Sequence, residues 1–352
     1  MAKRFGLAGI LILCLLLSAA CAGSSDGGTT PVPSPTPIPT AALPTPSAPV
    51  TNPLKGVSLS PKSFTDTDFT QFLSFVSQTG NALRWAGPWT DLGTPTGGPG
   101  VVTFLSATYK YTPVVETGVY SVSTDQLIKP LTEENMNDFI LYVTEFSRNF
   151  KEPYIALGVE VNIHYEKHPE DFKKYVALFD RAYDSIKSVS PNTKVYVVFQ
   201  LERMKGLQGG LFGGANDTSK AQWDLISQFP KSDLIGFTTY PGLIYKDPAE
   251  IPADYYSEIA SHTGKPIAFT EVGWASGTPV VNGSPLAEWE SSEAEQAAFV
   301  KRFRELTGSM NVQMRLWIWM FEQSASPGPA FVGMALRRSD GTPRLAWDEW
   351  VK

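Results

Sequence analysis

The 352-residue chain has an ordinary globular composition, with 42% hydrophobic and 18% charged residues. Its formal net charge of −6 and its pI of about 5.3 argue against nucleic acid or an anionic membrane surface as the main partner. The length exceeds the roughly 250 residues that one α/β barrel commonly uses, so one such domain with extra segments fits. We expect it to act as a monomer.

Residues 1–20 have the pattern of an export signal. Lys3 and Arg4 form a basic start, Phe5–Leu17 is an apolar run, and small residues precede Cys21. The segment resembles a bacterial lipoprotein signal, which implies that Cys21 is lipidated and anchors the protein at the membrane or cell surface. Ordinary secretion and an uncleaved anchor are the alternatives. All three predict an extracytoplasmic protein whose membrane contact is made through its N-terminus alone.

The body of the chain offers little metal-binding chemistry. Its two cysteines are Cys14 and Cys21, so no cysteine follows residue 21, which excludes a disulfide framework and a cysteine zinc site in the body. The three histidines, His164, His168 and His262, are too few and too scattered to suggest a metal site. We therefore expect neither a metal nor a cofactor.

Residues 21–52 are rich in Pro, Thr and Ser, with Pro at almost every second position from Pro31 to Pro39. Such a segment cannot bury a core and is typical of a disordered, semi-rigid tether. At roughly 3.1 Å per residue in polyproline II form, it would hold a domain many tens of ångströms from a membrane. The tether fits an anchored enzyme that acts on large external material.

From residue 53 to residue 352, short apolar strands alternate with segments of helical periodicity. The predicted strands are Lys55–Leu59, Ala82–Trp85, Thr112–Val115, Tyr154–Val159, Lys194–Phe199, Leu234–Thr239, Pro266–Thr270 and Met314–Met320. The predicted helices are Asp66–Gln78, Val101–Tyr109, Thr132–Phe150, Pro169–Val189, Ala221–Phe229, Asp254–His262, Ser291–Leu306 and Trp347–Val351. Eight such units predict an α/β fold, a single (β/α)₈ TIM barrel. No glycine-rich phosphate loop follows the first strand, which weakens a dinucleotide-binding alternative.

Acidic residues follow five of the predicted strands. They are Glu116, Glu160, Glu202, Glu271 and Glu322. Active sites of these barrels lie at the carboxyl ends of the strands, so the five acids predict a polar, acid-rich mouth. Retaining glycosidases need two carboxyl groups about 5–5.5 Å apart. Spacing alone does not select two of the five.

Two segments carry a family resemblance. The sequences ALGVEVNIHYE and PIAFTEVGWAS resemble the fourth-strand and seventh-strand motifs of clan A glycoside hydrolases. The TE-x-GW pattern is similar to that of endo-β-1,4-galactanases and β-1,3-glucan endohydrolases. The resemblance extends over residues 53–352, since the strand order and the ending VGMALRRSDGTPRLAWDEW also match.

The resemblance implies roles for four residues. Glu160 corresponds to the general acid/base and Glu271 to the nucleophile of a retaining β-glycosidase. Arg84 and Tyr240 resemble the arginine and tyrosine that hydrogen-bond the nucleophile. The competing interpretations are a rim salt bridge for Arg84 and packing beside Pro241 for Tyr240.

Further residues are substrate-binding candidates. Trp319 or Trp317 resembles the platform beneath the sugar, and the sequence does not choose between them. Trp274 and Trp85 follow strands and are candidates for flanking subsites, and Glu116 is a candidate at the rim.

One position departs from the clan pattern. Most members carry Asn before the acid/base, where it contacts the sugar 2-hydroxyl, and this chain has Val159. Three interpretations remain open: Asn162 or another group substitutes, recognition of the 2-hydroxyl is weak, or the substrate differs at C2.

Two functions therefore compete. The first is a retaining glycoside hydrolase that cleaves β-glycosidic bonds, acting inside polysaccharide chains. The second is a non-catalytic carbohydrate-binding lipoprotein on the same barrel, for which Val159 is the main argument. The presence of both Glu160 and Glu271 favours the enzyme.

Overall fold

The computed structural model describes residues 52–94, 97–281, 284–323, 329–331 and 333–352. The predicted signal peptide, Cys21 and the tether up to residue 51 lie outside the described residues. Within the described ranges, no helix has the length and apolar composition that crossing a membrane requires.

Eight parallel strands close into a barrel, as the sequence predicts. They are β1 (Leu54–Ser58), β2 (Ala82–Ala86), β3 (Thr112–Glu116), β4 (Tyr154–Ala156), β5 (Lys194–Gln200), β6 (Ile235–Thr239), β7 (Ile267–Val272) and β8 (Val312–Trp317). Each strand pairs with the next in chain order, and β8 pairs with β1 in the register Leu54↔Met314. The carboxyl ends of all eight strands therefore meet at one mouth.

Helices surround the barrel. They are α1 (Asp66–Thr79), α2 (Gly98–Tyr109), α3 (Glu133–Phe150), α4 (Val161–Lys167), α5 (Pro169–Val189), α6 (Leu201–Met204), α7 (Glu293–Thr307) and α8 (Leu345–Val351). Side-chain caps begin several of them, because a Thr or Ser oxygen accepts a backbone N–H that the first turn leaves unpaired. Thr132 caps α3 through the amide of Asn135, and Ser292 caps α7 through that of Glu295.

Two helix predictions were wrong. Ala221–Phe229 and Asp254–His262 form 3₁₀ turns at Trp223–Gln228 and Ser257–Ser261. The tighter 3₁₀ turn is common in short connecting segments such as these. The sequence pattern also missed two hairpins of two-residue strands, Tyr120–Ser121 with Gln126–Leu127 and Val280–Val281 with Ser284–Pro285.

Alternation along the strands separates two cores. On β5, Val195, Val197 and Phe199 pack in the layer between sheet and helices, whereas Tyr196 and Val198 point into the barrel. The interior set is completed by small or slender side chains, among them Ala82, Val114, Ala156, Ala268, Met314 and Leu316. The same alternation places residues 84, 116 and 238 on the inward face, one step above this interior core.

Glu152 is a buried carboxyl at the opposite end of the barrel. It lies in the connection from α3 to β4 and accepts the Ser147 hydroxyl at 2.5 Å. Burial raises the pKa of Glu152 to about 7, against that hydrogen bond.

We predict that Glu152→Gln stabilises the protein at pH 8 but not at pH 4. In the native state Glu152 resists ionisation. The stability that its protonated form contributes is fully present below the pKa of this carboxyl in the unfolded chain, and it is lost as pH rises through about 7. The neutral amide avoids that loss, which is on the order of 3 kcal/mol. Urea unfolding at the two pH values measures the change in unfolding free energy. An equal change at both would contradict the prediction.

Candidate active site

A single buried guanidinium joins two carboxylates at the mouth. Arg84 on β2 donates from Nε to Glu116 at 2.5 Å and from Nη1 to Glu271 at 2.6 Å. Its Nη1 also donates to the Ser58 hydroxyl at 3.1 Å. Burial opposes the charge, but the two carboxylates outweigh it and raise the pKa of Arg84. The guanidinium is therefore a fixed positive charge shared by β3 and β7.

Glu116 ends β3 and is fully buried. Besides Arg84 it accepts the Tyr196 hydroxyl at 2.9 Å. Burial raises the pKa of Glu116, while Arg84 acts in the opposite sense. Arg84 and Tyr196 engage both of its oxygens, so Glu116 orients Arg84 and does not face the open mouth.

Glu271 is brought to the mouth by an irregularity of β7. Phe237 pairs with Phe269, but Thr238 pairs with Glu271, so Thr270 is an extra residue on β7. Such a bulge shifts the alternation by one residue and turns Glu271 to the inward side. Its side chain keeps 15% exposure, in contrast to 0% for Glu116. Glu271 is therefore the carboxylate of the Arg84 pair that a ligand can reach.

Tyr240 holds the second oxygen of Glu271. It follows β6 directly, and its hydroxyl donates to Glu271 Oε2. Burial and the neighbouring Glu271 charge raise the pKa of Tyr240 well above its ordinary value. The phenol therefore stays protonated and donates to Glu271.

Glu160 follows β4 in the left-handed backbone region, with φ 51° and ψ 44°. A non-glycine residue there costs on the order of 1 kcal/mol, a strain that is concentrated at functional sites. The sequence pattern predicted that β4 ends at Val159. This turn explains why the strand ends earlier, at Ala156. The turn also requires Gly158, since a Cβ there would meet the Tyr175 hydroxyl oxygen.

The Glu160 carboxyl is 4% exposed and accepts the Thr238 hydroxyl at 2.6 Å. Burial, followed by repulsion from Glu271, raises the pKa of Glu160 to about 7. Thr238 is also the cross-strand neighbour of Glu271, and paired strands lie about 4.8 Å apart. Thr238 thus links the two carboxyls, and Glu160 is poised to hold a proton near neutral pH.

The tryptophan candidates occupy different environments. Trp317 points out of the barrel, is buried against Phe299 and Trp350, and donates to the Met334 carbonyl at 2.7 Å. The prediction that Trp317 is a sugar platform is therefore not supported by its position. Trp319 lies just beyond β8 and is half-buried, which makes it the better-placed of the two.

Trp85 also faces the outer layer, because it alternates with the inward Arg84, and it is 6% exposed. Trp274 is 2% exposed and stacks on Phe299. Trp274 nevertheless lines a small surface pocket, together with Tyr245 and Trp289.

Asn162 is fully buried and holds β5. It accepts the Gln200 amide at 2.8 Å and donates to the Gln200 carbonyl at 3.1 Å and to Gln222 at 3.0 Å. These bonds engage the Asn162 amide within the protein. Asn162 is therefore not free to take the role of the asparagine that most clan members carry at position 159.

The sequence pattern missed the roles of Thr238, Tyr196 and Ser58. All three are inward-facing polar residues of the barrel strands. Thr238 could have been found from the sequence, because it lies two residues before the candidate Tyr240. Glu322, a predicted rim acid, pairs with Arg344 at 2.9 Å and accepts the Gly333 amide at 2.9 Å. Among the described residues, no group of three or more His, Cys, Asp or Glu is arranged to hold a metal.

No protein-family model and no curated protein matches the chain. Solved structures do. It is similar to a family 39 glycoside hydrolase from Bacteroides cellulosilyticus WH2, with TM-score 0.58, 18% identity and 84% of this chain covered. It is similar to a Bacteroides uniformis β-glucuronidase, with TM-score 0.59, 12% identity and 85% covered. For an exo-β-1,4-mannosidase from Opitutaceae bacterium strain TAV5, the values are 0.57, 13% and 86%.

The chain spans 62%, 35% and 58% of the lengths of these three proteins. At such identities the likeness shows the fold, a (β/α)₈ barrel of the kind on which these glycosidases are built.

We predict that Thr238→Val raises the pKa of Glu160 further. The hydroxyl stabilises the charged carboxylate, and valine has the same shape without a donor, so the midpoint moves to higher pH. The titration of ¹³C-carboxyl-labelled glutamate, with Glu160→Gln to assign the signal, measures it. Thr144→Val removes a buried hydroxyl from the outer helices and is the matched control. An unchanged midpoint in Thr238→Val would disprove the role of this bond.

Proposed function

We propose that the protein is a retaining glycoside hydrolase that cleaves β-glycosidic bonds by double displacement. The observation that carries the proposal is the pair at the mouth. Glu271 is paired with Arg84 and Tyr240, and Glu160 has a pKa raised to about 7 beside it. This chemistry needs one carboxyl that is oriented for attack and a second that holds a proton to donate.

In the first step, a Glu271 oxygen attacks the anomeric carbon. The bond from that carbon to the leaving oxygen breaks, and Glu160 transfers its proton to that oxygen. The leaving sugar departs as an alcohol, and the remaining glycosyl group is bound to Glu271 as an ester. Arg84 and Tyr240 orient the attacking carboxylate through its two oxygens.

In the second step, Glu160 acts as a base. Burial and repulsion from Glu271 together raise the pKa of Glu160 in the free enzyme. Esterification removes the Glu271 charge and with it the repulsion, so the pKa of Glu160 falls and the ionised carboxylate is favoured. Glu160 then takes a proton from water, whose oxygen attacks the anomeric carbon and releases Glu271. Glu160 is protonated again, and the sugar keeps its anomeric configuration.

The substrate we propose is a polysaccharide outside the cell, cut within its chains by a monomeric, surface-anchored enzyme. The clan A motifs, and the glycosidases among the structural neighbours, support a β-linked sugar. The TE-x-GW motif favours an activity close to that of the galactan or β-1,3-glucan endohydrolases. Trp319 is the proposed platform beneath the sugar, and Trp274 contributes to a flanking subsite.

We predict different fates for the two carboxylate variants on a panel of aryl β-glycosides. Glu271→Ala abolishes turnover, because no other group forms the ester. Glu160→Ala slows it on the order of 10²–10⁴-fold, since proton transfer is lost. Added azide should restore turnover in both variants. The product from Glu160→Ala should be a β-glycosyl azide and that from Glu271→Ala an α-glycosyl azide. NMR of the products assigns the configuration.

In the wild type the rate should fall as pH rises through about 7, because Glu160 loses the proton it donates.

A β-azide from Glu271→Ala would overturn the assignment of the nucleophile. Polysaccharide binding without turnover by the wild type would favour the alternative, a non-catalytic binding protein. Val159, which stands where most clan members carry Asn, is the main argument for that alternative.

We also predict that Cys21→Ser releases the protein from membranes, because we propose that this cysteine carries the lipid. Fractionation of cells followed by immunoblotting measures the distribution. Cys14→Ser, within the apolar run, is the control and should leave it unchanged. Retention of Cys21→Ser on membranes would favour an uncleaved anchor.

A further inference from the structure

Glu202 is a fully buried acid that the two-step reaction does not use. It lies in α6, the single turn after β5. Its Oε1 accepts the Tyr255 hydroxyl at 2.7 Å, the Thr239 hydroxyl at 2.8 Å and the Tyr240 amide at 3.0 Å. Its Oε2 accepts the Gln200 side-chain amide at 2.5 Å. One carboxylate thus receives four donors from three consecutive segments of the barrel.

These donors indicate that Glu202 is ionised. None of the ion pairs among the described residues involves Glu202, so its charge rests on hydrogen bonds alone. Burial raises the pKa of Glu202, and the bonds from Tyr255 and Thr239 lower it. The Tyr240 and Gln200 groups are N–H donors, which cannot accept a proton from a neutral acid. Such a set favours the carboxylate form.

The segment that Glu202 holds is the one that serves both catalytic carboxyls. β6 ends at Thr239, so Glu202 provides the acceptor for the next amide, that of Tyr240. Thr238, on one side of Thr239, donates to Glu160, and Tyr240, on the other side, donates to Glu271. Thr239 faces the opposite way from Thr238 and donates to Glu202.

We propose that Glu202 is a positioning residue for the catalytic pair. Its carboxylate fixes Thr239 and the Tyr240 amide, and so aligns the two flanking hydroxyls with Glu160 and Glu271. The inference deepens the proposed function and rests on it.

The Glu202 charge acts on the same site. Burial raises the pKa of Glu160, as does repulsion from Glu271 and from Glu202, whereas the Thr238 hydroxyl and the Arg203 charge lower it. Around Glu202 itself stand the phenols of Tyr255, Tyr256 and Tyr245. Removal of the Glu202 charge therefore lowers the pKa of Glu160.

Two substitutions separate alignment from charge. Glu202→Ala removes the acceptor and should lower kcat on the order of 10²-fold at little change in KM, as misplaced catalytic groups do. Glu202→Gln keeps an oxygen for the three Oε1 donors and removes the charge. Its kcat should therefore be about tenfold higher than that of Glu202→Ala when each variant is measured at its own pH optimum. Its activity should also decline at a lower pH than that of the wild type.

Glu152→Gln is the matched control, because it neutralises an equally buried carboxyl at the far end of the barrel. It should leave kcat and the pH profile unchanged. Glu202→Ala with wild-type kcat would overturn the proposal. If Glu202→Ala fails to fold, Glu202→Gln decides, and a wild-type pH profile in this variant would overturn the proposal.

A second measurement does not depend on turnover. In ¹³C-carboxyl-labelled protein, the Glu160 midpoint should move to lower pH in Glu202→Gln and stay in place in Glu152→Gln. Equal midpoints in the two variants would overturn the inference. If the wild type hydrolyses no substrate while the midpoint moves as expected, the proposed function fails and the coupling of Glu202 to the site stands.

Discussion

The buried guanidinium of Arg84 is the interaction on which the mouth of the barrel depends. A lone charge at 3% exposure would be very unfavourable, and the two carboxylates on β3 and β7 compensate for it. Because one cation serves two anions, the group as a whole keeps an excess negative charge. Tyr196 and Tyr240 share that excess through hydroxyls that burial keeps protonated. The chain Tyr196–Glu116–Arg84–Glu271–Tyr240 thus crosses the barrel and fixes Glu271 from both sides.

The environment of Glu160, the proposed general acid/base, differs from that of Glu271. In the described part of the chain Glu160 forms no ion pair, and its hydrogen bond comes from the neutral Thr238. Burial and the nearby negative charges therefore raise the pKa of Glu160, and the Thr238 hydroxyl and the more distant Arg203 charge only partly offset them. The end of β6 and the residue after it supply the donors to both carboxyls, Thr238 to Glu160 and Tyr240 to Glu271. Small shifts of this strand end would thus alter both carboxyls together, and Glu202 holds that end in place.

Apolar periodicity predicted the eight strands and the long helices, because burial of a sheet face or a helix stripe leaves a pattern in the sequence. The motifs also led to Arg84, Glu160, Tyr240 and Glu271, which the structure brings together. The pattern carried no information on Thr270, the extra residue that turns Glu271 inward, since a bulge depends on pairing with β6 and β8. It also ranked tryptophans by strand position, and Trp317 and Trp85 face the helices because alternation and not proximity to the mouth decides their direction.

Val159 has a different meaning in the structure than in the sequence. The sequence pattern placed it on β4, where an asparagine would point at a sugar. β4 ends at Ala156, and residues 157–160 form a turn that requires Gly158 and a left-handed Glu160. Val159 is half-buried on that turn, and Asn162, the nearest amide in sequence, is engaged with Gln200 and Gln222. Of the three interpretations, substitution by Asn162 is therefore disfavoured. Three possibilities remain: another group contacts the 2-hydroxyl, recognition of the 2-hydroxyl is weak, or the substrate differs at C2. The aliphatic surface of Val159 favours the last two.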